Sequence, residues 1–218
     1  MTAQQDRGRR PRNAPDHDRP RLTEKGNGER VARRFEHELR YVVQRGQWLA
    51  WDGRQWHRDA NAPMVRAKHI VEELYREEAD LAERAATEQD YSARAQAVLK
   101  WAAARSKASA LRAMIMLAQS EEPIAASPDA FDRDPFAFNA LNGTINLRTG
   151  ELRPHRPVDM ITMLAPTEYD PNAGAPLWER FLERVLPDAE VRAFMQRYIG
   201  YALTGDASEQ VRRSWRRA

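Results

Sequence analysis

The stretch Phe136-Ala-Phe-Asn-Ala-Leu-Asn-Gly-Thr-Ile-Asn-Leu-Arg-Thr-Gly-Glu-Leu-Arg-Pro154 alternates apolar and polar residues around two turn signals. The first signal is Asn142-Gly143. This residue pair strongly favours a two-residue hairpin turn, because both central positions of such a turn need positive φ. A turn at these residues places Ala140 opposite Ile145. The sequence therefore predicts an antiparallel hairpin.

The second turn signal, Thr149-Gly150, adds a third strand to this hairpin. It pairs Leu147 with Leu152, and the apolar residues of all three strands then lie on one face, because strand side chains alternate with a period of two. The residues on this face are Phe138, Ala140, Ile145, Leu147 and Leu152. Two independently placed turns agree on a single apolar face, so the sequence predicts a small antiparallel β-meander.

A second hairpin is predicted over residues 47–58, where Asp52-Gly53 separates two Trp-containing segments. A two-residue turn at Asp-Gly pairs Trp51 with Arg54 and Leu49 with Trp56, which puts Leu49, Trp51 and Trp56 on one face. Two interpretations fit this cluster of tryptophans. The residues can form the apolar side of a small sheet packed on helices, or a platform on which nucleic-acid bases stack.

Helical periodicity surrounds the hairpins. The first helix is predicted from Thr23 to Leu39, and longer helices over residues 62–85 and 88–119. The last of these is expected to break near Ser106–Ser109, because serine competes for backbone hydrogen bonds. After the meander, two amphipathic helices are predicted from apolar stripes at helical spacing. The stripes are Trp178, Phe181, Leu182 and Val185, then Val191, Phe194, Met195, Tyr198 and Ile199.

These elements predict an α+β fold that is helix-rich, with a Trp-containing β-hairpin, a small antiparallel β-meander and two final amphipathic helices. Residues 1–21 are predicted to be a disordered basic arm, residues 22–210 a module, and residues 211–218 an aberrant Arg-rich tail. Within the module, residues 22–128 are expected to be mainly helical apart from the hairpin at 47–58. Residues 129–210 are expected to hold the meander and the last helices.

The net charge of +3 is unevenly distributed along the chain. The first 21 residues carry +3 and the last eight carry +4, so the body between them carries −4. Arginine-rich arms can bind phosphates through counterion release, although a solubilising tail is the alternative interpretation. The candidate nucleic-acid contacts are Arg9, Arg10 and Arg12 of the arm and Trp51, Arg54 and Trp56 of the hairpin.

The sequence contains no motif for catalysis or cofactor binding. It lacks a G-x-x-x-x-G-K-[ST] P-loop, a G-x-G-x-x-G turn, an H-E-x-x-H zinc pair, a G-x-S-x-G elbow and any cysteine. Asp16-His17-Asp18 and Asp132-Arg133-Asp134 have the spacing of a two-metal site, but they lie beside arginine and proline rather than on a rigid strand. We therefore expect no catalytic, cofactor or metal residue. We also expect no membrane span and a cytoplasmic location.

Several segments, taken in order, resemble phage and plasmid primase–helicases. They are Asn139–His155, Tyr169–Pro171, Trp178–Leu182, Gln196–Gly205 and Ser208–Gln210, with Leu22–Arg30 and Trp48–Gly53 upstream. The resemblance covers roughly residues 22–210. Each motif is weak alone, but their order and spacing together make the resemblance specific.

The resemblance implies an α+β module that precedes a superfamily-3 helicase, a ring-forming ATPase, and helps to assemble or couple that motor. ATP and Mg²⁺ are then expected only in the motor. After Gln210 the family continues into an apolar strand and the P-loop, whereas this sequence continues as Val211-Arg-Arg-Ser-Trp-Arg-Arg-Ala218. The resemblance therefore predicts a truncation or frame change before the motor.

Three functions remain open at this point. The first is a non-catalytic, DNA-associated part of a primase–helicase in DNA replication, acting with a separately encoded motor, other replication proteins or further copies of itself. The second is a stand-alone protein that binds single-stranded DNA through the arms and the Trp hairpin. The third is a non-functional prophage remnant, which is expected if the apolar stripes at 178–199 lack a partner.

Overall fold

A computed structural model describes residues 22–85, 89–206 and 208. The arm at 1–21, with Arg9, Arg10 and Arg12, and the tail at 211–218 lie outside the described residues. The helices are α1 (Glu24–Phe35), α2 (Ala62–Ala85), α3 (Gln89–Arg105), α4 (Ala108–Ala118), α5 (Pro176–Val185) and α6 (Ala189–Ala202). The strands are β1 (Leu39–Val42), β2 (Gln47–Trp51), β3 (Trp56–Arg58), β4 (Ala125–Ala126), β5 (Ala137–Ala140), β6 (Gly143–Asn146) and β7 (Glu151–Arg153). The predicted α+β fold class is confirmed.

The chain divides into two compact units. The helical unit runs up to Arg34 and from Met64 to Glu122, and it contains most of α1 and α2 together with α3 and α4. The sheet unit runs from Phe35 to Pro63 and from Pro123 onward, and it contains all the strands with α5 and α6. No helix among the described residues combines the length and the apolar character needed to cross a membrane.

The helical unit agrees closely with the sequence prediction. Residues 62–85 form α2, and the predicted helix over 88–119 is divided into α3 and α4 by a break at Ser106-Lys107. Asn27 of α1 is buried, and its side-chain oxygen accepts a hydrogen bond from Trp101 Nε1 of α3 at 3.3 Å. Gly28 lets α1 approach α4, because a Cβ at Gly28 would lie only 2.9 Å from Leu117 Cβ. The buried apolar residues of this unit include Val31, Ala67, Ile70, Leu74, Val98, Ala102, Leu111 and Met114.

The predicted end of the first helix is wrong. Helix α1 ends at Phe35, and Leu39 begins strand β1. The chain turns between them, where the Glu38 backbone N–H donates to the Phe35 carbonyl at 2.9 Å. Leu39 continued the helical spacing of apolar residues, but pairing of the β-prone segment Leu39–Val42 with β2 determines its conformation instead.

The first sheet has the strand order β3-β2-β1-β4. The neighbours β1, β2 and β3 are antiparallel, and the short β4 pairs in parallel with β1. Trp48, Ala50 and Leu39 are buried on one face of this sheet, and Trp56 is buried on the other. The second sheet is the predicted meander, with the order β5-β6-β7.

The pairing in all three predicted hairpins differs from the prediction by two residues. Trp51 pairs with Trp56 rather than with Arg54, and Ala140 pairs with Gly143 rather than with Ile145. In the third hairpin, Leu152 pairs with Ile145. A shift of two residues keeps every side chain on its predicted face, because side chains alternate along a strand. The predicted faces are therefore correct, although the turns are misplaced.

Side chains in the turns explain the shifts. In the Trp hairpin the Asp52 carboxylate accepts hydrogen bonds from the backbone N–H groups of Arg54 and Gln55, at 2.7 and 2.8 Å. The turn therefore centres on Gly53-Arg54, and Gly53 takes a φ of 98°. In the meander Asn142 lies in the turn, but Gly143 is the first residue of β6.

Candidate nucleic-acid interface

Trp56, one of the predicted nucleic-acid contacts, is a core residue of the sheet unit. Its side chain is only 1% exposed, and its indole Nε1 donates to the Pro157 carbonyl at 2.9 Å. Its backbone N–H donates to the Ile161 carbonyl at 2.8 Å. Trp56 therefore attaches the segment 157–161 to the edge strand β3.

Other side chains surround the Trp56 ring. The guanidinium of Arg40 lies 4.9 Å from the ring centroid, Phe131 makes an edge contact at 6.4 Å, and Trp51 packs at 5.8 Å. Arg40 also donates to the carbonyls of Glu36 and Leu39. Burial lowers the pKa of Arg40, and the nearby Glu36 carboxylate partly offsets this effect. Because the Trp56 ring is covered, a base-stacking role in this hairpin is left to Trp51.

The tip of the hairpin carries the other two predicted contacts. Trp51 is half-buried and Arg54 is exposed. Burial acts to raise the pKa of Asp52, but hydrogen bonds from the backbone N–H groups of Gln55 and Arg54, together with His57, outweigh burial and lower that pKa. Asp52 is therefore an ionised anchor of the turn that presents Arg54. Nucleic-acid binding by Trp51 and Arg54 stays a prediction.

Replacing Asp52 with alanine is expected to lower the free energy of unfolding by about 1 kcal/mol at neutral pH, because two backbone N–H groups lose their acceptor. A carboxylate with a lowered pKa stabilises the fold above its unfolded pKa, and this stabilisation is lost as the pH falls through its folded pKa. Urea unfolding of both proteins near pH 7 and pH 3 should show the difference shrinking in acid. Asp52→Asn keeps a neutral acceptor and should show less pH dependence.

A polar cleft lies beside the hairpin, with a volume of about 570 Å³. Strands β2 and β3 supply Gln47, Leu49, Trp56 and Arg58, and the loops opposite supply Phe131, Asp132 and Thr162. Arg45, at the end of a short 3-10 turn between β1 and β2, also lines it. The cleft was not predicted, because its lining residues are far apart in the sequence and follow no motif.

The polar residues of the meander stretch form a buried hydrogen-bond network. Asn139 is 5% exposed and uses its whole hydrogen-bonding capacity. Its Oδ1 accepts from Thr144 Oγ1 at 3.0 Å and from His155 Nδ1 at 2.9 Å. Its Nδ2 donates to the carbonyls of Arg54 and Met163, at 2.9 and 3.1 Å. Asn139 thus joins the meander, the Trp hairpin and the segment after β7.

Asn142 makes a second such connection, at the meander turn. Its side-chain Nδ2 donates to the Tyr169 carbonyl, and its Oδ1 accepts from the Tyr169 backbone N–H, both at 2.9 Å. The Tyr169 hydroxyl in turn donates to the Gly150 carbonyl at 3.3 Å. Several residues that carry the family resemblance therefore hold the fold together. Among the described residues, no group of three or more His, Asp or Glu side chains could hold a metal ion.

Helices α5 and α6 expose apolar residues at their surface. Trp178 and Phe181 of α5 stack at 5.6 Å and are each 51% exposed. Phe194 and Tyr198 of α6 stack at 6.2 Å and are each 58% exposed. A groove of about 600 Å³ lies between the two helices. None of the residues of α5 or α6 is buried.

These observations define an α+β module. Asn139 and Asn142 of its meander stretch stabilise the fold through hydrogen bonds, and its last two helices expose apolar residues. A sequence model of the family described as "D5 N terminal like" matches residues 28–187. The match covers more than half of the chain, so the chain belongs to this family, the module found N-terminal in phage and plasmid primase–helicases. A search of curated proteins found no similar sequence.

Proposed function

We propose that this chain is the non-catalytic N-terminal portion of a phage or plasmid-type primase–helicase, and that it takes part in DNA replication by docking the ATPase motor. The family match over residues 28–187 supports the class of protein. The exposed apolar surface of α5 and α6 supports docking and is the observation that carries the proposal. In this scheme ATP and Mg²⁺ are bound by the motor.

The exposed surface is too apolar to be an ordinary solvent-facing surface. On α5, Leu177, Trp178, Phe181 and Val185 are between 49% and 75% exposed. On α6 and its C-cap, Val191, Phe194, Tyr198, Ile199 and Leu203 are between 42% and 58% exposed. Single exposed apolar residues are normal, but a contiguous group of large ones marks a protein–protein interaction site. Aromatic residues in such a group provide much of the binding energy of an interface.

Local hydrogen bonds around the Asp188 N-cap order the junction between the two helices. The Asp188 carboxylate accepts from the backbone N–H groups of Glu190 and Val191, and Arg192 donates to the carbonyls of Leu186 and Pro187 at 2.7 and 2.8 Å. These contacts satisfy polar groups at the end of α5 and the start of α6. The junction is therefore ordered by local bonds, while the apolar faces stay exposed.

The test combines this chain with the helicase motor of a phage or plasmid primase–helicase, produced as a separate protein. We expect the chain alone to show no DNA-stimulated ATPase activity, and the two proteins to form a complex in size-exclusion chromatography. Phe181→Asp with Phe194→Asp should weaken the complex at least about 100-fold, because buried aromatic anchors contribute roughly 2 kcal/mol or more each.

Met163→Asp is the matched control, since Met163 is 72% exposed but lies outside α5 and α6. It should leave the complex intact. ATP turnover by the chain alone would contradict the non-catalytic assignment. Failure of the wild-type chain to bind the motor would refute docking and favour a non-functional remnant.

A second candidate function is stand-alone binding of single-stranded DNA. The exposed Arg54 at the hairpin tip and the neighbouring half-buried Trp51 favour it. Trp51→Ala with Arg54→Ala should weaken binding of a labelled oligo(dT), as measured by fluorescence anisotropy, whereas deletion of residues 1–21 should flatten its salt dependence. Unchanged binding in both variants would contradict a role for the hairpin tip and the arm.

A further inference from the structure

We infer that the polar cleft between β2–β3 and the loop around Asp132 binds a nucleotide unit of single-stranded DNA, with Arg45 and Arg58 on its phosphate. This inference rests on the DNA association proposed for the chain and gives it a specific site, separate from the hairpin tip. The cleft would recognise a phosphate next to a planar base. A free nucleotide carries the same two groups, so a competition experiment is needed to distinguish a DNA strand from a free nucleotide as the ligand.

The size and the walls of the cleft fit one nucleotide. Its volume of about 570 Å³ lies within the range of pockets that bind small ligands. One side is apolar, with Leu49 of β2 and the half-buried Phe131. Aromatic and aliphatic walls favour a base, because every base presents an apolar face for stacking. The other lining groups include the Gln47 amide and the Thr162 hydroxyl.

The charges at the cleft favour an anion. Arg45 and Arg58 are both exposed, and neither has an ion-pair partner among the described residues. The acidic group of the lining, Asp132, accepts hydrogen bonds from the Thr162 backbone N–H at 2.7 Å and from its hydroxyl at 2.5 Å. Its carboxylate is therefore already engaged. Two arginines can bind a phosphate through several charge-assisted hydrogen bonds, which are stronger than those between neutral groups.

The loop opposite the sheet is held in an unusual backbone conformation. Asp132 and Met160 both have a φ of 52°, in the left-handed region that non-glycine residues seldom adopt. The Asp132 backbone N–H donates to the Met160 carbonyl at 3.1 Å, so the two residues hold each other. Strained residues of this kind persist where surrounding bonds fix them, and they are concentrated at ligand sites. Asp132 is therefore positioned before any ligand arrives.

The experiment measures binding of fluorescein-labelled dT10 to the full chain by anisotropy at several salt concentrations. Arg45→Ala with Arg58→Ala should weaken binding about tenfold or more at low salt. It should also reduce the slope of log K against log salt by about 0.7, since both arginines are placed on one phosphate and each phosphate contact on a single strand contributes about 0.7. Arg112→Ala with Arg184→Ala removes the same charge from two exposed helical positions and should change both quantities little.

Competition with dTMP and with a duplex of the same length identifies the ligand. Weak competition by both is expected, because a strand brings additional phosphate contacts and a duplex conceals its bases. Competition by dTMP as strong as that by unlabelled dT10 would overturn the assignment to a strand. Wild-type affinity and salt slope in the Arg45/Arg58 variant would overturn the site itself. Complex formation with the motor should be unchanged in this variant, so the docking proposal is tested separately.

Discussion

Asn139→Ala is expected to lower the free energy of unfolding of the sheet unit by about 3 kcal/mol, because a buried polar group left without its partner costs roughly 1–3 kcal/mol. Four groups would lose their partner: Thr144 Oγ1, His155 Nδ1 and the carbonyls of Arg54 and Met163. Asn139 and Thr144 are both buried, so water does not readily replace the lost bonds. The thermal midpoint should fall by roughly 10 °C.

Asn139→Asp tests whether the network itself matters rather than the volume of the side chain. Aspartate keeps the acceptor for Thr144 and His155, but it places a second oxygen against the carbonyls of Arg54 and Met163. It should therefore destabilise the unit at least as much as alanine does. Asn172→Ala, at an exposed position, should change the stability by less than about 0.5 kcal/mol. Urea midpoints of Asn139→Ala that equal those of Asn172→Ala would contradict a structural role for the network.

Much of the fold could be predicted from the sequence, because its periodic patterns are strong. Apolar residues at helical spacing predicted α2 and the final pair α5 and α6, and the serines near residue 106 predicted the division between α3 and α4. Alternation in the meander placed Phe138, Ile145 and Leu152 on one face, and they do pair directly across β5, β6 and β7. Periodicity identifies a face reliably, since every second residue of a strand repeats the same environment.

The exact pairing of strands could not be predicted, because it depends on side chains rather than on periodicity. Both Asp52-Gly53 and Asn142-Gly143 favour a two-residue turn, but the hydrogen bonds of the polar side chain decide where each turn is centred. Asp52 binds the backbone of its own turn, and Asn142 binds the backbone of Tyr169, which is 27 residues away. A contact of that sequence separation leaves no local signal.

The roles of individual candidate binding residues also could not be predicted from the sequence. Trp56 and Arg54 are candidate nucleic-acid contacts in sequence, but the Trp56 side chain is buried, and the Arg54 carbonyl is an acceptor for Asn139. The cleft residues Arg45, Arg58 and Phe131 carry no motif, and only the folded chain brings them together. A residue in a family motif can be needed for folding or for function. The contacts of its side chain in the structure are needed to distinguish these two roles.

Gly143→Ala is expected to destabilise the sheet unit by about 3 kcal/mol or more. A Cβ at this position would lie 2.5 Å from the Arg153 carbonyl oxygen and 2.8 Å from Leu152 Cδ1. The first of these atoms belongs to the backbone of β7, so the clash cannot be relieved by rotating a side chain. Overpacking costs roughly 1–3 kcal/mol, and the φ of 157° at Gly143 adds strain for any L-residue. Circular dichroism during urea unfolding measures the loss.

Gly200→Ala is the matched control for this substitution. Gly200 lies in α6 and is exposed, and a methyl group added there would meet no atom within 4 Å. Alanine is the better helix former by about 1 kcal/mol, so this variant should be slightly more stable than the wild type. Two glycine-to-alanine changes in one chain are thus expected to act in opposite directions. If Gly143→Ala were neutral, β7 could not approach β6 as closely as the pairing of Thr144 with Arg153 requires, and the meander pairing would be wrong.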